Sequence, residues 1–276
     1  MTDTKKHPAR FFWIGLLLLN LLLMTPRAVL SSDEIAPPFS PGEKLTFRLR
    51  WEFIPAGEAT LEVASPKILD GHPVLHFVMT ARSNAFIDTF YKVRDRIDAF
   101  TDTQLKRSLL YRKQQKEGSH HGDIEVRFDW TAGTAQYTNK DKTRDPIAIP
   151  PGTFDPLSAL YYARQIPLAE NLIIERPITD GKNVIMGKII VIRRETITID
   201  GRTYDTFVVE PDMQDVGGVF NKSPGAKMHV WLTADHRRIP VRIESEVAVG
   251  SFVGELISII EPSTPMPPQL TVRTDP

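Results

Sequence analysis

From Lys44 onward the chain alternates apolar and polar residues with a period of two. Leu45, Phe47, Leu49 and Trp51 fall on one side of the first run. Lys44, Thr46, Arg48, Arg50 and Glu52 fall on the other, the signature of a strand with one dry and one wet face. Pro55-Ala56-Gly57 reads as a turn, after which Ala59, Leu61 and Val63 alternate with Glu58, Thr60 and Glu62, so these two runs form a hairpin. Asp70-Gly71 marks the next turn, ahead of Val74–Ala81. Downstream, Ile124, Val126, Phe128 and Trp130 repeat the alternation, and the β-branched run Val184–Ile199 ends at Asp200-Gly201, a hairpin signal before Tyr204–Val209. Met228, Val230 and Leu232 follow, then Val241, Ile243 and Val247 against Arg242, Glu244 and Glu246, and a last strand from Phe252 to Ile260. A long series of one-faced strands predicts a mainly β fold. Its form is a large curved antiparallel sheet, an open or half barrel spanning residues 44–261, because many strands twist and curl rather than lie flat.

One segment changes period. Asp155-Pro156 supplies an N-cap followed by proline at the first helical position, and Leu157, Leu160, Tyr161 and Arg164 recur at helical spacing before Pro167. The pattern predicts one short amphipathic helix near 155–165, plugging the sheet with its apolar stripe and leaving Arg164 at the wet end. Asn84–Tyr91 reads as a short helical or looped excursion. Residues 32–43 form a proline-stiffened lead-in, and residues 262–276 an extended tail that is rich in proline.

The N-terminus supplies an address. A run of fourteen mostly apolar residues, Phe11–Met24, follows Lys5, Lys6 and Arg10 and precedes Pro26. It falls short of the roughly 17–25 apolar residues that a membrane-spanning helix needs, so residues 1–31 read as a secretory signal peptide, with an uncleaved inner-membrane anchor as the minority reading. The expected location is the periplasm. Removing residues 1–31 takes away Lys5, Lys6, Arg10, Arg27 and Asp3, leaving 30 basic against 33 acidic side chains, which argues against a nucleic-acid partner. Cysteine is absent, which excludes disulfides, thiol chemistry and lipid attachment through a leader cysteine.

Candidate chemistry is sparse. His121, Asp123 and Glu125 share one strand face but span about 13 Å at 3.3 Å per residue, too far for a single ion, so no metal is expected. Gly118-Ser119-His120-His121-Gly122 places its serine one position early for a nucleophile elbow. No phosphate loop or dinucleotide fingerprint occurs, and no cofactor is expected. Asp95 lies between Val93 and Ile97 on the dry side of its strand and needs a partner there, for which Arg237 and Arg238 are the candidates. Val216–Ala226 is a glycine-rich loop with Val219-Phe220 at its tip.

Several blocks carry a resemblance. Phe39-Ser40-Pro41-Gly42-Glu43 with Leu45 and Phe47, Ala56-Gly57 with Ala59 and Leu61, Val93-Arg94-Asp95, Asp155 to Tyr162, and Trp231 to Arg242 resemble, in order, the blocks of a bacterial exported family catalogued as domain of unknown function 3108. That resemblance implies export and no particular activity. The last block is also similar to the Lol-type lipoprotein carriers, which implies an open curved sheet with helices on its concave side, holding acyl chains.

The reading is a non-enzymatic envelope protein that binds an apolar ligand, a lipid or acyl group, on the concave face of its sheet. Phe47, Leu49, Trp51, Leu61, Leu157, Leu160, Tyr161 and Phe220 are the candidate lining. The alternatives are an envelope scaffold or protein-interaction module with a packed core, and a hydrolase using Asp95. Oligomeric state is left open.

Overall fold

The computed structural model describes residues 37–212, 227–247 and 250–261, which form one compact unit. The expected leader, Phe220 with its loop, and the proline-rich tail lie outside the described residues. Phe39 and Glu43, expected in a lead-in, are instead buried within the domain.

The chain first meanders through β1 (Lys44–Trp51), β2 (Ile54–Leu69), β3 (His72–Ser83), a single-turn helix α1 (Ala85–Asp88), β4 (Arg94–Asp102) and β5 (Ser108–Glu117). It continues through β6 (His120–Asp129), β7 (Thr134–Asn139) and the two-residue strands β8 (Lys142–Thr143) and β9 (Ile147–Ala148). Helix α2 (Pro156–Gln165) interrupts it. A second meander follows: β10 (Ile173–Thr179), β11 (Val184–Ile199), β12 (Arg202–Pro211), β13 (Lys227–Thr233), β14 (Pro240–Val247) and β15 (Gly250–Ile260). All fifteen strands belong to one antiparallel sheet that is not closed into a barrel. β15 pairs with β1 in the middle of the sheet, so its two edges, β10 and β7 to β9, flank the stretch that holds α2.

The sheet must curl to make its contacts. α2 packs against β3, β4 and β10. On a flat sheet β10 and β4 would lie roughly 40 Å apart at about 4.8 Å per strand. A ten-residue helix is only about 15 Å long and 10 Å wide. Two further contacts draw the edges together. The Phe154 amide donates to the Pro177 carbonyl at 2.9 Å and its carbonyl accepts from the Thr179 amide at 2.9 Å, while the Ser108 amide donates to Thr153 at 3.1 Å. At the β10–β11 turn, a Cβ on Gly181 would stand 2.7 Å from Val126 on β6, so that turn packs directly on the opposite edge region.

α2 is enclosed rather than striped. Leu157, Ser158, Ala159, Tyr161, Ala163 and Arg164 are all buried. Tyr161 stacks on Phe77 at 3.9 Å, and Phe39 meets both rings edge-on. Arg164, expected in water, is 1% exposed; the partner that makes this tolerable, Glu43, lies 121 residues earlier and is equally buried. Two other sequence expectations are corrected. The first hairpin turns at Glu52-Phe53, with Trp51 opposite Ile54, and Pro55-Ala56-Gly57 already lie in β2; the left-handed φ of 52° at Glu52 makes the tight turn. In β13, Trp231 and Thr233 are buried as well as Val230 and Leu232, so this strand has no wet face there.

An apolar cavity at the open end of the curled sheet

The inner face of the sheet changes from filled to open along neighbouring strands. The register pairs Val63 with Phe77, then Leu61 with Met79, then Ala59 with Ala81, then Gly57 with Ser83. Side chains shrink in that direction. On the other side, Phe47 faces Ala59, and Leu49 faces both Gly57 and Gly254. Near α2 the large residues fill the interior; beyond Leu61 nothing large enough does. Gly57 cannot be enlarged, because a Cβ there would meet the Arg82 carbonyl oxygen at 2.0 Å.

The result is a cavity of about 640 Å³. β1 contributes Phe47, Leu49 and Trp51; β2 and β3 contribute Ala56, Ala59, Leu61, Met79 and Ala81. Ile243, Ser245, Phe252 and Gly254 line the far side, and Leu160 of α2 reaches it from the packed interior. Ile87, Phe90, Tyr91 and Val93 cover it from the β3–β4 connection. The walls are almost wholly hydrocarbon. Among the lining hydroxyls, Thr60 is hydrogen-bonded to Thr80 at 2.7 Å, and Ser83 donates to Asp88.

The β3–β4 connection is tied down at both ends. Asn84 caps α1 by accepting from the Ile87 amide at 2.9 Å, while its side chain donates to the Pro55 carbonyl at 2.6 Å. Arg94 grips Asp88 through both terminal nitrogens, at 3.0 and 2.6 Å, and with Ser83 it holds the Asp88 carboxyl below its usual range. The cover over the cavity is therefore a fixed feature of the fold.

Of the residues expected to line the concave face, Phe47, Leu49, Trp51, Leu61 and Leu160 meet at this cavity. Leu157 and Tyr161 do not; they are packed in the core around Phe77 and Phe154. Met79, Ala81, Ile87, Phe90, Tyr91, Ile243 and Phe252 were not singled out from sequence. The available signal was the small residues Ala56, Gly57 and Ala59, which read as turn and strand.

Asp95 does not pair with Arg237 or Arg238. The sheet places it two strands from β2, accepting from the Lys116 amide at 2.9 Å beside Glu117. Arg237 pairs instead with Glu43 at 3.0 Å and with Glu261, and Arg238 donates to the carbonyls of Arg164 and His236. Burial and the hydrogen bond to Glu117 push the Asp95 carboxyl up to about 6. A raised folded-state pKa means that the native state binds the proton more tightly than the unfolded chain. The contribution is favourable below about pH 4 and is lost as pH rises to about 6, by about 1 kcal/mol after allowing for solvent screening. Asp95→Asn is therefore expected to raise stability at pH 7 by about that amount and to flatten this component of the pH dependence between 4 and 6. Urea titrations at both pH values check it; a less stable variant at pH 7 contradicts the assignment.

Among the described residues no three His, Asp or Glu side chains converge to hold a metal, and Glu125 is engaged by Arg112 and Arg127. No described helix is long and apolar enough to cross a membrane.

Comparison places the fold. The chain is similar in structure to a β-barrel-like protein of the domain of unknown function DUF1849 from Brucella abortus, with a TM-score of 0.53 and 12% identity, over 82% of this chain and 100% of that one. A protein with a YmcC-like fold from Bacteroides fragilis NCTC 9343 matches at TM-score 0.33 and 9% identity, over 81% and 98% of the two chains. No curated protein matches in sequence. Residues 46–257 match the family described as "Protein of unknown function (DUF3108)", and the chain belongs to that family.

Proposed function

We propose that the protein is a non-enzymatic, exported envelope protein that holds the acyl chain of a lipid or related amphiphile in the cavity between β1, β2, β3, β14 and β15. The observation that carries this reading is the hydrocarbon lining of a 640 Å³ space that the sheet register leaves open. That volume lies within the range of about 300–1,000 Å³ typical of small-molecule sites. With so few polar atoms on its walls, the cavity offers an elongated apolar chain contact and offers its polar head almost none. The head then stays at the mouth. The apolar leader at Phe11–Met24 supports export, and the engaged hydroxyls of Thr60 and Ser83 support binding without chemistry.

Each methylene moved from water into such a lining contributes about 0.8 kcal/mol, close to a fourfold gain in affinity. Affinity for fatty acids is therefore expected to climb with chain length and level off when the cavity is full. Titration with a fluorescent fatty acid and displacement by unlabelled ones measures it. Ala81→Trp, which fills the space opposite Ala59, is expected to weaken binding by at least tenfold. Affinity that is independent of chain length, or unchanged in Ala81→Trp, rejects the proposal.

A further inference from the structure

The mouth of the cavity carries a second feature. Among the described residues, the exposed large aromatic side chains are Trp51, Phe53, Phe86, Phe90, Tyr91 and Phe252. All six come from the segments that meet at this end: the β1–β2 turn, the start of β15 and the β3–β4 connection. Trp51 stacks over Phe252 at 6.4 Å, and Phe86 meets Phe90 edge-on at 5.1 Å. Phe53, at the turn apex, is 87% exposed, and Phe90 is 70% exposed. The exposed aliphatic residues lie elsewhere: Ile173 and Met186 on β10 and β11, Ile68 at the far end of β2, and Ile257 and Ile260 at the far end of β15. Six exposed aromatics gathered around one opening exceed the scattered apolar exposure expected of any protein surface.

The charges around the ring decide what it meets. Arg50 pairs with Glu255 at 3.1 Å, Arg82 with Glu58, and Arg94 with Asp88 at 2.6 Å. Glu52 accepts from the Ser251 amide at 2.7 Å, and Glu52 and Lys92 add one charge of each sign. These described charges balance, four of each sign, so together they set up no strong field to attract an acidic or basic partner. A flat protein surface seated here would cover the ring but make no contact with the hydrocarbon lining of the cavity behind it. A bilayer instead presents hydrocarbon that continues the cavity, and Trp and Tyr favour its interfacial layer.

We propose that this end of the curled sheet docks on a lipid bilayer, the aromatic ring entering the interfacial layer so that the cavity opens onto acyl chains. What passes through the mouth rests on the function proposed above; the docking itself is measured separately. The exported form of the chain, beginning after the leader, is floated with phosphatidylcholine vesicles, with and without phosphatidylglycerol, at low and high salt. The wild type is expected to float with phosphatidylcholine alone and to resist salt, because the attraction is apolar. Phe53→Ser/Phe86→Ser, two residues outside the cavity lining, is expected to lose vesicle affinity on the order of 100-fold while still taking up a soluble fatty-acid probe. Ala81→Trp is expected to float like the wild type. No flotation of the wild type, undiminished flotation of the double variant, binding that needs phosphatidylglycerol and is lost in high salt, or a dimer that buries the ring each overturns the proposal. Flotation without probe uptake defeats only the cavity reading, and probe uptake without flotation defeats only the docking.

Discussion

Replacing Arg164 by methionine is expected to cost about 3–5 kcal/mol of folding stability, the usual penalty for breaking a buried ion pair from one side. Glu43 and Arg164 are each 1% exposed. The Glu43 carboxylate accepts from Arg164 at 2.7 and 3.2 Å and from Arg237 at 3.0 Å. Without Arg164 the carboxylate keeps one partly exposed cation and loses the two charge-assisted bonds that offset its burial. The same guanidinium reaches the carbonyls of Pro38 and Arg237 and lies over the rings of Phe39 and Tyr161. It therefore ties the N-terminal segment, α2 and the β13–β14 turn together. Adding Glu43→Leu to Arg164→Met removes the stranded charge and is expected to recover much of the loss. Urea unfolding of the two variants measures both effects. A loss below about 1 kcal/mol for Arg164→Met contradicts the assigned role.

Asp155→Ala is the second large effect, expected at about 3 kcal/mol. Asp155 is fully buried and its carboxylate accepts from the amides of Leu157 and Ser158, each at 2.9 Å, and from the hydroxyls of Ser108 and Ser158, each at 2.6 Å. Losing the N-cap alone costs about 1–2 kcal/mol. Leaving the Ser108 and Ser158 hydroxyls without their acceptor costs about 1–3 kcal/mol more. The site sits where Phe154 bridges to β10 and Ser108 begins β5, so the variant also loosens the join across the open side of the sheet. Hydrogen exchange is expected to show earlier opening at β10 and α2 than at β1–β2. Uniform protection across those elements contradicts this role for the cap.

The strands and α2 were legible because one-faced strands and a capped helix are local patterns: β11 spans Val184–Ile199, as its β-branched run indicates, and α2 begins at Pro156 behind its Asp155 cap. What was not legible depends on residues far apart in sequence. Arg164 reads as a solvent residue until Glu43 is beside it. Asp95 reads as a partner for a remote arginine until β5 brings Glu117 next to it. The cavity exists because the register sets Ala59 opposite Ala81 and Leu49 opposite two glycines, and single strands do not display register. Trp51 alternates like a core residue yet sits at the mouth, since the strand runs past the packed interior.

The central claim is that the space between β1, β2, β3, β14 and β15 holds an acyl chain. Organic extraction of the protein purified from its native cells under native conditions, followed by mass spectrometry, tests it most directly. The account predicts acyl-bearing molecules at close to one per protein in the wild type and their loss in Ala81→Trp. Extracts empty of lipid in both proteins, or equal lipid in both, would contradict it.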